Sequence, residues 1–168
     1  MTEKLEQALD TLNITYQEVA EIANGITKPV IEPADKIIKY LNDNIQNLTT
    51  DQLRDKMLEL QLAASSIAAI KEKSAMKASL ADALQKEKYA ISFGKAEGTA
   101  AAKANIALLD SQPETVSEIL NNLVANLIRA KLDSCHRLVQ VIQSIIMSRL
   151  SEAKYLNLGS ADKSESQF

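Results

Sequence analysis

Between Thr49 and Gly94 the chain carries neither glycine nor proline, and this uninterrupted run limits the folds open to it more than any other feature. Thr49-Thr50-Asp51 supplies a capping signal, because a side-chain oxygen there can accept a backbone N–H that the first helical turn leaves unpaired. Past it, apolar or small residues fall at 53, 57, 60, 64 and 67, then at 74, 78 and 81, with interruptions at Lys71 and Gln85. That is a heptad seam, and it predicts one long α-helix burying a single stripe. Forty-odd residues at 1.5 Å each make a rod of roughly 60 Å. A rod of that length must lie along another long helix or along neighbouring subunits.

The flanking segments predict more helix. Residues 2–24 form a first amphipathic helix, with Thr2 as N-cap, and Asn24-Gly25 ends it. ITKPVIEPAD holds two of the three prolines. Each biases the preceding residue away from α, so the segment is expected to be an extended link or hinge, with Pro33 opening a second helix that runs to about Asn47. Residues 94–113 contain Gly94, Gly98 and the alanine-rich EGTAAAKANIALLDSQP, which can form a short helix between turns, and are expected to make the apex of a hairpin. From Pro113 a second long helix runs to about Leu156, with Val116, Leu120, Leu123, Leu127, Leu138, Val141, Ile142, Ile145 and Ile146 among its apolar positions. The fold class expected is all-α: an N-terminal helical arm over residues 1–48, a long antiparallel helical hairpin over 49–157, and a polar, disordered tail over 158–168.

Composition excludes several function classes. One Cys and one His among 168 residues cannot build a disulfide framework or a Cys/His metal cluster, so no metal or other cofactor is expected. The charged start MTEKLEQALD, and the lack of any apolar run near the roughly 20 residues that span a bilayer, predict a cytoplasmic protein without a membrane partner. There is no Gly-rich phosphate loop, HExxH or GxSxG, and Cys135-His136 are helical neighbours that point about 100° apart rather than at each other. No catalytic residue is assigned, and the chain is expected not to be an enzyme. Cys135 reads as a small core residue and His136 as a surface one. The acidic pairs Asp51/Asp55 and Glu114/Glu118 read as first-turn residues that offset a helix dipole.

The formal charge of -3 conceals a division. Residues 1–50 hold eight acids against four bases, whereas residues 71–103 hold seven lysines against four acids. Residues 129–154 add five bases against two acids. Phosphate binding needs closely spaced cations and base stacking needs aromatic rings. Tyr89 and Phe93, four apart beside Lys86, Lys88 and Lys95, supply both, against the alternative of a solvated Lys/Glu face with the rings in the core.

The stretches ALQKEKYAISFGKAEGT and AKLDSCHRLVQVIQSIIMSRLSEAKYL, with helices before them, resemble the small phage recombination mediators of the UvsY type over about half the chain. The resemblance implies an all-helical, ring-forming, non-enzymatic phage protein in the host cytoplasm. It also implies single-stranded DNA as ligand, with recombinase and single-strand-binding protein as partners. Carried over by position, the nucleic-acid-binding residues are Lys86, Lys88, Tyr89 and Lys95, with Lys77 and Lys103 as further additions. The chain differs from that pattern in its acidic balance and its N-terminal arm.

The alternative is a helical phage structural or assembly protein that acts only through protein-protein packing. Both readings expect a homo-oligomer, because the long helices carry apolar residues around more of their circumference than one hairpin partner covers. Leu138, Val141, Ile142, Ile145 and Ile146 occupy a wide sector of the final helix and are the expected interface.

Overall fold

The structure, a computed structural model, describes residues 16–161. Three helices account for 94% of the described residues, with no strand among them, so the chain is all-α. They are α1 (Tyr16–Asn44), α2 (Thr50–Lys95) and α3 (Ala100–Ala161). Residues 2–15 of the expected first helix and residues 162–168 of the expected tail lie outside the described residues, while residues 158–161 belong to α3.

The capping signal before α2 forms as expected. The Gln52 N–H donates to Thr49 Oγ1 at 3.3 Å, and the Thr49 N–H donates to Gln52 Oε1 at 2.9 Å, a reciprocal capping box. Thr99 caps α3 by accepting from the Ala102 N–H at 3.3 Å. Between the two helices Gly98 has φ +108°, where a side chain would be strained; the chain turns at residues 96–99 and Gly94 lies inside α2.

Three proline expectations are corrected. α1 runs unbroken through Gly25, Pro29 and Pro33, so ITKPVIEPAD is helix and not an extended link or hinge. α3 begins thirteen residues before Pro113 and passes through it, so residues 100–113 are the first turns of the long helix rather than a separate short helix at the hairpin apex. All three prolines lie on exposed faces, as do Gly25 and Leu109, whose carbonyls lose a helical partner to Pro29 and Pro113. Water can satisfy those carbonyls, and the cost of the missing N–H is offset by burial on the opposite face. The local bias of an X-Pro pair is smaller than that burial.

The chain divides into two compact units, each drawing on all three helices. Among the described residues, unit 1 comprises 16–31 and 67–130, and unit 2 comprises 32–66 and 131–161. Unit 2 has the bulkier core: Leu41, Leu53, Leu60, Cys135 and Ile142 are fully buried, with Leu132, Val139 and Ile146 beside them. Lys131 donates to Asp35, and Arg149 reaches the carbonyls of Leu48 and Gln46, holding the link between α1 and α2. Unit 1 is built around Val19, Ile67, Val124 and Ile128, but is otherwise lined by small residues: Ala23, Ser74, Ala78, Ala81, Ala107 and Ser111.

The heptad seam expected in α2 is the buried stripe. Leu53, Leu60 and Ala64 form it in unit 2, where Met57 of the expected seam is only half-buried; Ile67, Ser74, Ala78 and Ala81 form it in unit 1. In α3 the buried line is Ala125, Ile128, Leu132, Cys135, Val139, Ile142 and Ile146. The expected apolar positions include Ile142 and Ile146 but not Ile128, Leu132 or Val139, because α3 is apolar around so much of its circumference that spacing alone does not single out one sector. Cys135 is a core residue and His136 is exposed. Burial pushes the Cys135 thiol up, with Lys131 partly opposing it, so it is a poor nucleophile.

Candidate nucleic-acid interface

All six candidate nucleic-acid residues lie in unit 1, on α2 and at the start of α3, and they fall into two groups. Lys88 is the continuation of the α2 seam, seven residues past Ala81, so its side chain meets α3 rather than solvent alone. Its Nζ donates to both carboxylate oxygens of Glu114, at 2.9 and 3.2 Å. Lys86 pairs with Asp82 at 2.7 Å, one turn back on the same helix, and Glu118 adds a favourable charge. The amine of Lys86 is therefore held more basic than usual, first through the Asp82 hydrogen bond.

Lys77, Lys95 and Lys103 form no ion pair among the described residues. Lys77 and Lys95 are exposed and Lys103 half-buried. Lys95 and Lys103 stand on either side of the turn at residues 96–99. Tyr89 and Phe93 stack with ring centroids 6.2 Å apart and planes at 19°. Tyr89 is half-buried and Phe93 exposed, so the pair keeps an accessible ring near the turn.

Sequence reasoning missed the carboxylates that α3 brings to this region. Glu114 takes Lys88, Asp110 accepts from the Ser92 hydroxyl at 2.6 Å, and Glu118 acts on Lys86. Those three charges equal in size the net +3 of residues 71–103, so the local excess seen along the chain is largely balanced once α3 is in place. A signal for this existed: extending the α2 seam by one heptad reaches Lys88, which then needs a partner of opposite charge. Glu114 also lies well inside α3, so its role is to pair with Lys88 and not to offset a first-turn dipole as expected.

The Lys88 hydrogen bond holds the Glu114 carboxyl below the usual carboxylate range. A depressed pKa means that the stabilisation from this pair is fully present above the ordinary glutamate value and is lost as the pH falls through the lowered one. Changing Lys88 to Met is expected to return the Glu114 titration, followed by NMR, upward toward the ordinary range.

In the expected oligomer interface, Ile142 and Ile146 are buried by the chain's own helices, Leu138 and Ile145 are half-buried, and Val141 is 49% exposed. Two of the five residues thus need no neighbour to cover them. Among the described residues no group of three or more His, Cys, Asp or Glu is placed to hold a metal, and no helix is long and apolar enough to cross a membrane. Comparisons with protein-family models, with curated proteins and with solved structures gave no match.

Proposed function

We propose that this chain is a non-enzymatic, oligomeric accessory protein of phage recombination or replication, acting in the host cytoplasm and binding single-stranded DNA beside the turn between α2 and α3. The observation that carries the reading is that Lys95 and Lys103, on either side of the turn, have no carboxylate partner among the described residues and lie near the accessible Tyr89–Phe93 stack in the chain. Unpaired cations release counterions when they meet phosphates, and an open ring face accepts any base, so the group suits sequence-tolerant binding. Lys77 extends the same helix with a further free cation, whereas Lys86 and Lys88 are already compensated. A long antiparallel hairpin belongs to this reading: Lys88 with Glu114 and Ser92 with Asp110 step in opposite directions along α2 and α3. Self-association would repeat a small patch into a track, on which recombinase and single-strand-binding protein are the proposed partners.

Fluorescence anisotropy with labelled oligo-dT tests the reading. Binding is expected at low salt and weakens as salt rises. Changing both Lys95 and Lys103 to Glu is expected to cost tenfold or more, and to reduce the salt slope by roughly 1.4 at about 0.7 per phosphate contact. Lys88→Glu is expected to cost less. Failure to bind even at low salt removes the proposal. The second reading, a structural or assembly protein acting only through helix packing, then takes its place, and the exposed apolar residues of α2 favour it.

A further inference from the structure

Over residues 69–90, which lie wholly in unit 1, α2 has its side chains distributed in an unusual way. The buried face presents Ser74, Ala78 and Ala81, whereas Met76 and Leu80 on the far side are 73% and 60% exposed. A helix that met only solvent on that side would carry its bulk inward. The outward face also repeats every seven residues, with Ala69, Met76, Ala83 and Ala90 as one exposed line. Lys73, Leu80 and Glu87 form a second line beside it, and Glu72, Ser79 and Lys86 a third on the other side. Each flanking line therefore has a base and an acid spaced equally about a central uncharged residue, with the order reversed between the two lines.

We infer that this face of α2 binds the same face of a second copy, antiparallel, about a two-fold axis near Ser79 and Leu80. In that register Met76 of one copy sits over Ala83 of the other, and Ala69 over Ala90. Lys73 meets Glu87 and Leu80 meets Leu80 on one side; Glu72 meets Lys86 and Ser79 meets Ser79 on the other. The midpoints of all these pairings fall between residues 79 and 80, within one residue's rise of each other, which is why a single two-fold axis serves the whole face. Lys73 and Glu87 make no ion pair among the described residues, and Glu72 and Lys86, though paired with Lys71 and Asp82, are themselves exposed and can each face a second charge on a partner. A parallel pair could also match the charges, but it would stack Met76 on Met76 between layers of alanine. The antiparallel pair puts a large side chain against a small one, giving even spacing along about 32 Å of helix. This gives the self-association of the proposed function a surface, and it stands whether or not DNA is bound.

Variants of the full chain with one added cysteine test the register, with the unaltered chain and its buried Cys135 as background. Under mild oxidation Leu80→Cys is expected to yield a covalent dimer. Met76→Cys is not, because its two copies are offset by about 10 Å along the axis. Light scattering at micromolar concentration is expected to give twice 18.4 kDa or an even multiple of it. Lys73→Glu alone and Glu87→Lys alone are each expected to raise the dissociation constant roughly tenfold, and the double variant to restore it. These positions are exposed, so circular dichroism should be unchanged in all of them. A monomer would overturn the inference. So would cross-linking of Met76→Cys in preference to Leu80→Cys, or a double charge reversal weaker than either single one, the result that a parallel pair gives. Loss of oligo-dT binding with the dimer intact would count against the DNA reading alone.

Discussion

Replacing Ile142 by alanine is expected to lower the free energy of unfolding by about 3 kcal/mol, within the range for a large side chain lost from a packed core. Replacing Val141, the preceding residue, is expected to change it by less than about 0.5 kcal/mol. Ile142 is 0% exposed and lies in the line of Leu132, Cys135, Val139 and Ile146, so truncation leaves a cavity lined by side chains that cannot all move in to fill it. Val141 points about 100° away and is half open to solvent. Urea denaturation at two protein concentrations measures both. Should Val141→Ala prove the costlier variant, with a cost that depends on concentration, this sector would be the subunit interface that the sequence suggested, and the α2 face would lose its place.

The second large effect has the opposite sign. Pro113→Ala is expected to stabilise the chain by about 2 kcal/mol. Alanine restores the N–H that the Leu109 carbonyl lacks and removes the clash of the ring with that carbonyl, together worth roughly 3 kcal/mol in a helix interior. Part of that is offset because proline also restricts the unfolded chain, by about 0.4–1 kcal/mol. Pro113 is exposed and α3 continues on both sides of it, so alanine fits without repacking. A rise in the urea midpoint at unchanged slope is the expected reading. A fall would mean that α3 is interrupted at residue 113 in solution, as the X-Pro bias alone suggests.

Much of the helical framework is legible in the residues. The stretch without glycine or proline is one helix, and of its stripe at 53, 57, 60, 64, 67, 74, 78 and 81 all but the half-buried Met57 are buried as the spacing indicates. These features are read correctly because they are repetitive and local: a seven-residue period is sampled many times within one segment, and a cap involves residues three apart. The helix boundaries near Gly25, Pro29, Pro33 and Pro113 are read wrongly for a related reason. Each is a single local signal, and burial on the opposite side of the helix outweighs it.

The candidate site shows the same division more sharply. Seven lysines against four acids over residues 71–103 is a sound count along the chain. It carries no information about Asp110, Glu114 and Glu118, which follow it in sequence and lie beside it in space. Hence Lys88 looks alike in sequence to Lys95 and Lys103, yet Glu114 pairs with Lys88 and no carboxylate among the described residues pairs with the other two, whereas the partner of Lys86, Asp82, stands one turn back on the same helix and is legible in the sequence.

By itself, the sequence determined that this protein is helical, where α2 begins and which stripe of α2 is buried, because those follow from backbone hydrogen bonding and periodic burial within one segment. Only the tertiary structure decided which sector of α3 is core, that Lys88 is paired with Glu114 of α3, and that the larger side chains of α2 over residues 69–90 face outward. Each of those depends on which residues distant in sequence come to share a surface, and charge and apolar area act through space rather than along the chain.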